Sequence, residues 1–219
     1  MFGMFSSSKA TTLDLSNFDT SKVTDMSSMF SSSKATTLNV SNFDTSNVTD
    51  MRKMFYGSQA ITLDVSNFDT SNVTNMSNMF NNSTKLKTIY VSDKFNTDAV
   101  TNSSSMFTNC TSLVGGSGTT FDSTKVDKTY ARIDGGTSSP GYFTDIADKN
   151  IPEPSSFSTD SWKTIIKAVK NNNISKYNVG DTKTIDIGSY GTHTLRVANM
   201  STPSECSTSG FSNCLWICS

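Results

Sequence analysis

A cluster of apolar residues recurs every 25 residues through the first half of the chain. Three copies begin at Leu13, Leu38 and Leu63, and each carries Ser-Asn-Phe-Asp-Thr-Ser followed by Met-x-x-Met-Phe. A looser fourth copy begins at Ile89, where two inserted residues widen the spacing of the Met-Phe pair to 27. Such self-similarity is typical of repeats that stack, because a single repeat cannot bury its own apolar side.

The period of the pattern changes within each copy. Leu13 and Leu15 alternate around a polar residue as in a strand, whereas Val23, Met26 and Met29 recur at helical spacing. Each repeat is therefore predicted to contain a strand, a loop, one or two helical turns and a return loop. Stacking of these 25-residue coils predicts an α/β repeat solenoid over residues 1–115.

Both ends of the array differ from its middle. Met1 falls in the position of Met26, so we expect the chain to open inside a coil of a longer array, with any signal peptide upstream. The pattern stops after Leu113, and the Gly, Ser and Pro residues that follow predict a C-terminal cap with a β-hairpin at 116–145. Residues 146–156 are predicted to form a linker.

The remaining residues, 157–219, are not repetitive. Trp162 to Val169 has the pattern of an amphipathic helix, with Ser158 or Thr159 as its N-cap. Two alternating segments, Thr182–Ile187 and Thr192–Val197, predict a hairpin. One helix and one hairpin are too few to enclose a core. We therefore expect a small, truncated α+β domain here, in which the apolar end 215–218 has no evident partner.

The composition limits the possible functions. Only 34% of the residues are hydrophobic, whereas 38 Ser, 31 Thr and 20 Asn are present, which favours a thin repetitive core. With 18 basic and 19 acidic residues and no basic cluster, nucleic-acid binding is not expected. No run of 18 apolar residues occurs, so we expect no membrane insertion from these residues.

Residues that could carry out catalysis are scarce. His193 is the only histidine, and it shares a strand face with Leu195 and Val197, so we interpret it as a hairpin residue and not as a catalytic base. Neither a nucleophile elbow nor a glycine-rich phosphate loop is present. The sequence predicts no enzyme activity, no catalytic residues and no cofactor.

The four cysteines lack a metal-binding pattern. Cys110 occupies the slot that serine holds in the other repeats, which predicts a small buried residue. Cys206, Cys214 and Cys218 do not have the paired spacing of a zinc site. The sequence leaves undecided whether two of them form a disulfide.

Aspartates also recur at the repeat spacing. Asp19, Asp44 and Asp69 would stand about 5 Å apart in a stack, where like charges repel. Calcium could compensate them, but backbone amides of the following turn do so more simply. We therefore predict capping carboxylates and no metal site.

The outward strand positions are candidates for binding a partner. Asp14, Asn39, Asp64 and Tyr90 stand between inward apolar residues and vary from copy to copy. Variation of this kind is expected of a recognition face, although a merely solvated face would look the same.

The repeat L-x-V-S-N-F-D-T-S-N-V-T-x-M-x-x-M-F resembles that of the BspA-like leucine-rich-repeat family of bacterial surface proteins, over roughly residues 1–115. Residues 130–144 resemble the segment that ends such arrays, and residues 157–200 resemble the start of an uncharacterised domain of gut-bacterial surface proteins. The resemblance implies an extracellular or cell-surface location and adhesion to host molecules. Residues 1–219 depart from the family pattern in having no recognisable signal peptide and no wall-sorting or lipobox motif, and we expect any signal peptide to lie upstream of Met1.

Together these features predict a non-catalytic bacterial cell-surface binding module. Its partner would be a host or matrix protein or a glycan, bound through the exposed strand face. The alternative is a passive structural spacer or surface-layer component of a longer protein. Ice binding by the threonine-rich coils is a more remote possibility.

Overall fold

The computed structural model describes residues 1–170, 173–188, 191–199 and 216–218. Its backbone contacts divide the chain into two units. The first contains Met1–Gly135 and Pro140–Lys149, and the second contains Gly136–Ser139 and Asn150–Ser219. We number the repeats of the first unit one to four, for residues 13–37, 38–62, 63–88 and 89–113.

Neighbouring repeats lie side by side and are joined by parallel backbone pairing. Strand β1 (Thr62–Asp64) pairs in parallel with β2 (Thr88–Val91), and Leu63 faces Ile89. Immediately before repeats one and two, the predicted strand pairing is reduced to a single bridge between Thr12 and Thr37. A second line of parallel bridges crosses all four repeats, through Asp25, Asp50, Asn75 and Asn102. Matching residues of successive repeats therefore stand next to each other.

The segments that follow these bridges, which we call the turn segments, are 25–32, 50–57, 75–82 and 102–109. The helical turns predicted there are wrong, since residues 1–113, all described, contain turns and no helix. Alternate amides leave the segment: Met29 N donates within its own turn to Met26 O at 3.2 Å, whereas Phe30 N donates to Met54 O of the next repeat at 2.9 Å. An α-helix would keep all of these bonds within the segment, so bonding between repeats competes with helix formation.

A continuous hydrophobic core runs through the first unit. Its centre is a column of parallel phenylalanine rings whose centroids are 5.6–5.8 Å apart, namely Phe5, Phe30, Phe55, Phe80 and Phe107. The phenylalanines of the Asn-Phe-Asp segment lie beside this column. Phe43, for example, is buried and its ring is 6.4 Å from that of Phe30.

The cap of the array closes in a different way from the predicted hairpin. Ile133 and Phe143 form a parallel bridge, and β3 (Thr144–Asp145) then pairs in parallel with β2. The hairpin predicted for the cap at 116–145 is therefore not formed around Ile133 and Phe143, whereas an antiparallel bridge joins Val114 and Thr120 at the start of the cap. The buried Asp134 carboxylate accepts bonds from Ser117 N and Thr119 N, both at 2.9 Å, and so ties the two sides of the cap together.

Short 3-10 helices complete the first unit and begin the second. They span Lys128–Tyr130, Gly136–Ser138 and Ile146–Asp148. The predicted linker therefore begins with a helical turn that still belongs to the first unit.

The second unit combines one helix with an antiparallel sheet. Helix α1 spans Trp162–Lys170, and its N-cap is Ser161, whose hydroxyl accepts from Thr164 N at 3.1 Å, in place of the predicted Ser158 or Thr159. Strands β4 (Thr182–Asp186) and β5 (Thr192–Asn199) pair as the predicted hairpin. The segment without an evident partner in the sequence forms β6 (Trp216–Cys218) beside β5.

Candidate interaction surface

The outward positions of the strand segments have different degrees of exposure. Asp14 and Asn39 are exposed, whereas Asp64 and Tyr90 are half-buried. The β1–β2 register places Asp64 opposite Tyr90. We call the surface that contains these four residues the strand face.

Three of the four candidate side chains fold back onto their own backbone. Asp14 accepts hydrogen bonds from the amide and hydroxyl of Ser16, at 3.0 and 2.7 Å. Asn39 and Asp64 do the same with Ser41 and Ser66. These are turn-forming bonds, in which a short polar side chain stabilises the chain reversal two residues on. The presence of Asp or Asn at this position in repeats one to three thus has a structural explanation.

Lys149 covers the remaining part of the strand face. Its ammonium lies 2.5 Å from Asp64 Oδ2 and 5.7 Å from the ring centroid of Tyr90. Partial burial alone would raise the pKa of Asp64, but the bonds from Lys149 and Ser66 outweigh it and the pKa is lowered. Sequence reasoning missed Lys149 because it lies 85 residues from Asp64 along the chain.

The acidic column is stabilised by hydrogen bonds from the chain itself. The amides of Ser21, Ser46 and Ser71 each donate to the preceding aspartate, at 3.0 Å. The Ser46 hydroxyl and amide lower the pKa of Asp44, against the smaller opposing effect of Asp19 and Asp69. The capping role predicted for these carboxylates agrees with these bonds.

A third column of the same kind escaped the sequence reasoning. It comprises Asp25, Asp50, Asn75 and Asn102, the residues of the parallel bridges. Asn75 Oδ1, for example, accepts from the amide and hydroxyl of Ser77 at 3.1 and 2.8 Å. The recurring Asp/Asn-x-Ser spacing could have revealed it, because that is the pattern of the other two columns.

The turn segment of repeat two differs from its neighbours on the surface. It carries the exposed residues Arg52 and Lys53 and the half-buried Tyr56. The Lys53 ammonium lies 5.9 Å from the centroid of the Tyr56 ring. Asn82 of repeat three donates to the Tyr56 hydroxyl at 2.6 Å, and Asn109 donates to Asn82 at 2.7 Å. The sequence analysis did not predict this cluster, because it compared only the outward strand positions between repeats.

The remaining residues singled out in the sequence are Cys110, His193 and the three C-terminal cysteines. Cys110 is buried, its thiol lies 3.0 Å from Phe80 O, and burial raises the pKa of the thiol to about 12. It stacks in the serine column as predicted, beside Ser83, whose hydroxyl donates to Phe55 O. His193 is exposed on β5. Cys206, Cys214 and the side chain of Cys218 lie outside the described residues.

Neither a cluster of metal ligands nor a membrane-spanning helix occurs among the described residues. Within them, no three His, Cys, Asp or Glu side chains converge as metal ligands. No helix in the same ranges has the length and apolar character needed to cross a bilayer.

The periodic bonding and side-chain columns define a repeat protein. The model of the family described as "Mycoplasma protein of unknown function, DUF285" matches residues 1–121, more than half of the chain, and the chain belongs to this family. This match agrees in part with the BspA-like resemblance of the repeat. Neither the curated proteins nor the solved structures contain a match to the chain.

Proposed function

We propose that the protein is a non-catalytic bacterial cell-surface binding module. In this proposal a leucine-rich-repeat-like solenoid presents its strand face to a host or matrix protein or to a glycan outside the cell. The supporting observation is the parallel pairing at a fixed offset, such as Asp25 with Asp50. Pairing of this kind fixes outward side chains in columns before a partner arrives, which lowers the ordering cost of binding.

The accessible part of the strand face lies in repeats one and two. Thr12 and Thr37 are exposed, bridge each other, and stand two positions before Asp14 and Asn39. In repeats three and four, a partner that reaches Asp64 or Tyr90 has to displace Lys149. Half-exposed ion pairs contribute roughly 0–1 kcal/mol, so this displacement costs little.

The test uses threonine substitutions that leave the turn-forming bonds intact. The intact chain and its Thr12→Arg/Thr37→Arg variant are applied to an array of matrix proteins and glycans. The matched control is Thr24→Arg/Thr49→Arg, which adds the same charge at exposed threonines of another column. We expect the first variant to lose binding at least tenfold and the control to retain it. Equal binding by all three proteins would place the interaction away from the strand face.

The second candidate function is a passive spacer. The specific observation in its favour is that Asp14, Asn39 and Asp64 are engaged by serines of their own turns. A spacer has no ligand, so the intact chain would bind nothing on the array at micromolar concentration.

A further inference from the structure

The turn segment of repeat two breaks a pattern that the other repeats keep. In repeats one, three and four, position 52 is serine, position 53 is serine or asparagine, and position 56 is serine, asparagine or threonine; the partial coil at 1–8 has Phe2 and Gly3 at the first two positions. Repeat two instead has Arg52, Lys53 and Tyr56. Two cations and a phenol thus replace small polar side chains within five residues.

Arg52 lacks the side-chain bond that serine makes at this position. Ser77 and Ser104 each donate a hydroxyl to the asparagine two residues before, at 2.8 and 2.9 Å. Arg52 donates only its amide to Asp50, at 2.9 Å, and its side chain forms an exposed ion pair 3.5 Å from the same carboxylate. This exchange gives the turn no evident structural gain.

Lys53 has a backbone conformation that lysine seldom adopts. Its φ is 55°, in the left-handed region, where the matching residues are Gly3, Ser28, Asn78 and Ser105. Glycine and asparagine adopt this region most readily, and lysine has no short polar group to stabilise it locally. Departures from local preference that persist at a surface are most often found at functional sites.

The side chains of this turn have complementary binding chemistry. The Lys53 ammonium and the Tyr56 ring are 5.9 Å apart. The Tyr56 hydroxyl is held by Asn82, which accepts in turn from Asn109, so polar amides continue across repeats three and four. The cluster offers cations for an anionic group, an aromatic ring for an apolar ring face, and amides for hydroxyls.

We propose that Arg52, Lys53 and Tyr56 bind an acidic oligosaccharide. A sugar carboxylate would pair with the two cations, a pyranose ring would lie against Tyr56, and further hydroxyls would reach Asn82 and Asn109. The amide row extends along the stack, which favours a chain of sugars over a single small anion. This site lies on the turn segments and not on the strand face, so it goes beyond the function proposed above.

The test replaces the unusual residues by those of the neighbouring repeat. Arg52→Ser/Lys53→Asn restores the residues found at 77 and 78, and Tyr56→Asn restores that at 81. Because the same backbone already carries these residues in repeat three, both variants should fold. The control Lys85→Asn/Lys87→Ser removes the same charge from two exposed lysines elsewhere in the first unit.

Binding is measured by calorimetry with an oligosaccharide of alternating glucuronate and N-acetylglucosamine, and with its carboxyl-reduced, neutral form. We expect the wild type to bind the acidic form, and both repeat-three variants to bind it at least tenfold more weakly. The Arg52→Ser/Lys53→Asn variant should also unfold at an equal or higher temperature, because asparagine adopts the left-handed region more readily than lysine. The control should bind like the wild type.

The proposal is wrong if the wild type fails to bind, if the neutral form binds equally, or if either variant binds like the wild type. It is equally wrong if the control loses as much affinity, since that outcome indicates nonspecific charge attraction. None of these results depends on the strand-face variants, so the two proposals fail separately.

Discussion

At the scale of single residues, the turn segments are defined by left-handed backbone positions. Among the described residues, those with positive φ that are not glycine all lie in turn segments or in the matching part of 1–8, and they are Ser7, Ser28, Ser32, Lys53, Asn78, Asn82, Ser105 and Asn109. Small polar residues tolerate this region better than branched or bulky ones. The abundance of Ser and Asn therefore follows in part from backbone geometry repeated in every copy.

Substitutions at Gly57 can measure how much stability depends on the left-handed backbone conformation of the turn segments. Its φ is 63°, the matching residue in repeat three is Asn82, and the nearest atom to a built Cβ is Ser32 Oγ at 3.4 Å. Since there is room for a side chain, the cost of a substitution should come from the backbone. We expect Gly57→Val to lower the free energy of unfolding by about 1–2 kcal/mol, and Gly57→Asn to change it by less than about 0.5 kcal/mol. Chemical denaturation of the two variants measures this difference, and equal values would contradict it.

At the scale of the element, each turn segment shares its backbone bonds with the next repeat. Alternate amides stay within the segment or cross to the neighbour, as Met29 and Phe30 do. The Met-Phe pair is consequently held at a fixed depth, and the phenylalanines stack in a continuous column. Hydrophobic contact and hydrogen bonding thus act between the same pairs of repeats.

The loss of stability caused by truncating a phenylalanine of the column should depend on the position of that residue in the column. Phe55 is fully buried between Phe30 and Phe80, whereas Phe5 is only partly buried at the end of the column. We expect Phe55→Ala to cost about 3–5 kcal/mol, because it removes buried surface and leaves a cavity. Phe5→Ala should cost roughly 1–2 kcal/mol. Thermal unfolding followed by circular dichroism compares them, and the Phe55 variant should also broaden the transition by uncoupling its neighbours. Similar losses in the two variants would show that the column is not continuous.

At the scale of the whole first unit, carboxylates stand in columns and are stabilised in their ionised form. Serine hydroxyls and amides lower the pKa of Asp19, Asp44 and Asp69 below the ordinary 3.8. A carboxylate whose pKa is lower in the folded state stabilises the fold fully above its unfolded pKa. This stabilisation is lost as the pH falls through the folded value.

Acidification should therefore destabilise the array. We expect the unfolding temperature to fall as the pH decreases below 3.8, the ordinary value of these groups. The triple variant Asp19→Asn/Asp44→Asn/Asp69→Asn keeps a side-chain acceptor at each turn, as Asn75 does naturally, but removes these three titrations. Its unfolding temperature should depend less on pH than that of the wild type over pH 2–5, a range that spans the ordinary value. Parallel pH profiles for the two proteins would exclude these three groups as the cause.

The sequence by itself determined the repeat, its 25-residue spacing, the inward apolar positions and the column of Asp19, Asp44 and Asp69, because each depends on residues that recur within or between adjacent copies. It also located α1 and the β4–β5 hairpin, whose patterns are local. Only the tertiary structure decided that the turn segments are not helical, since half of their amides are bonded by another repeat. The same holds for the parallel closure of the cap and for the contact of Lys149 with Asp64, which join residues far apart in the chain. Local pattern fixes which residues are buried, but competition between distant hydrogen-bond partners fixes the backbone conformation and which of the outward residues remain accessible.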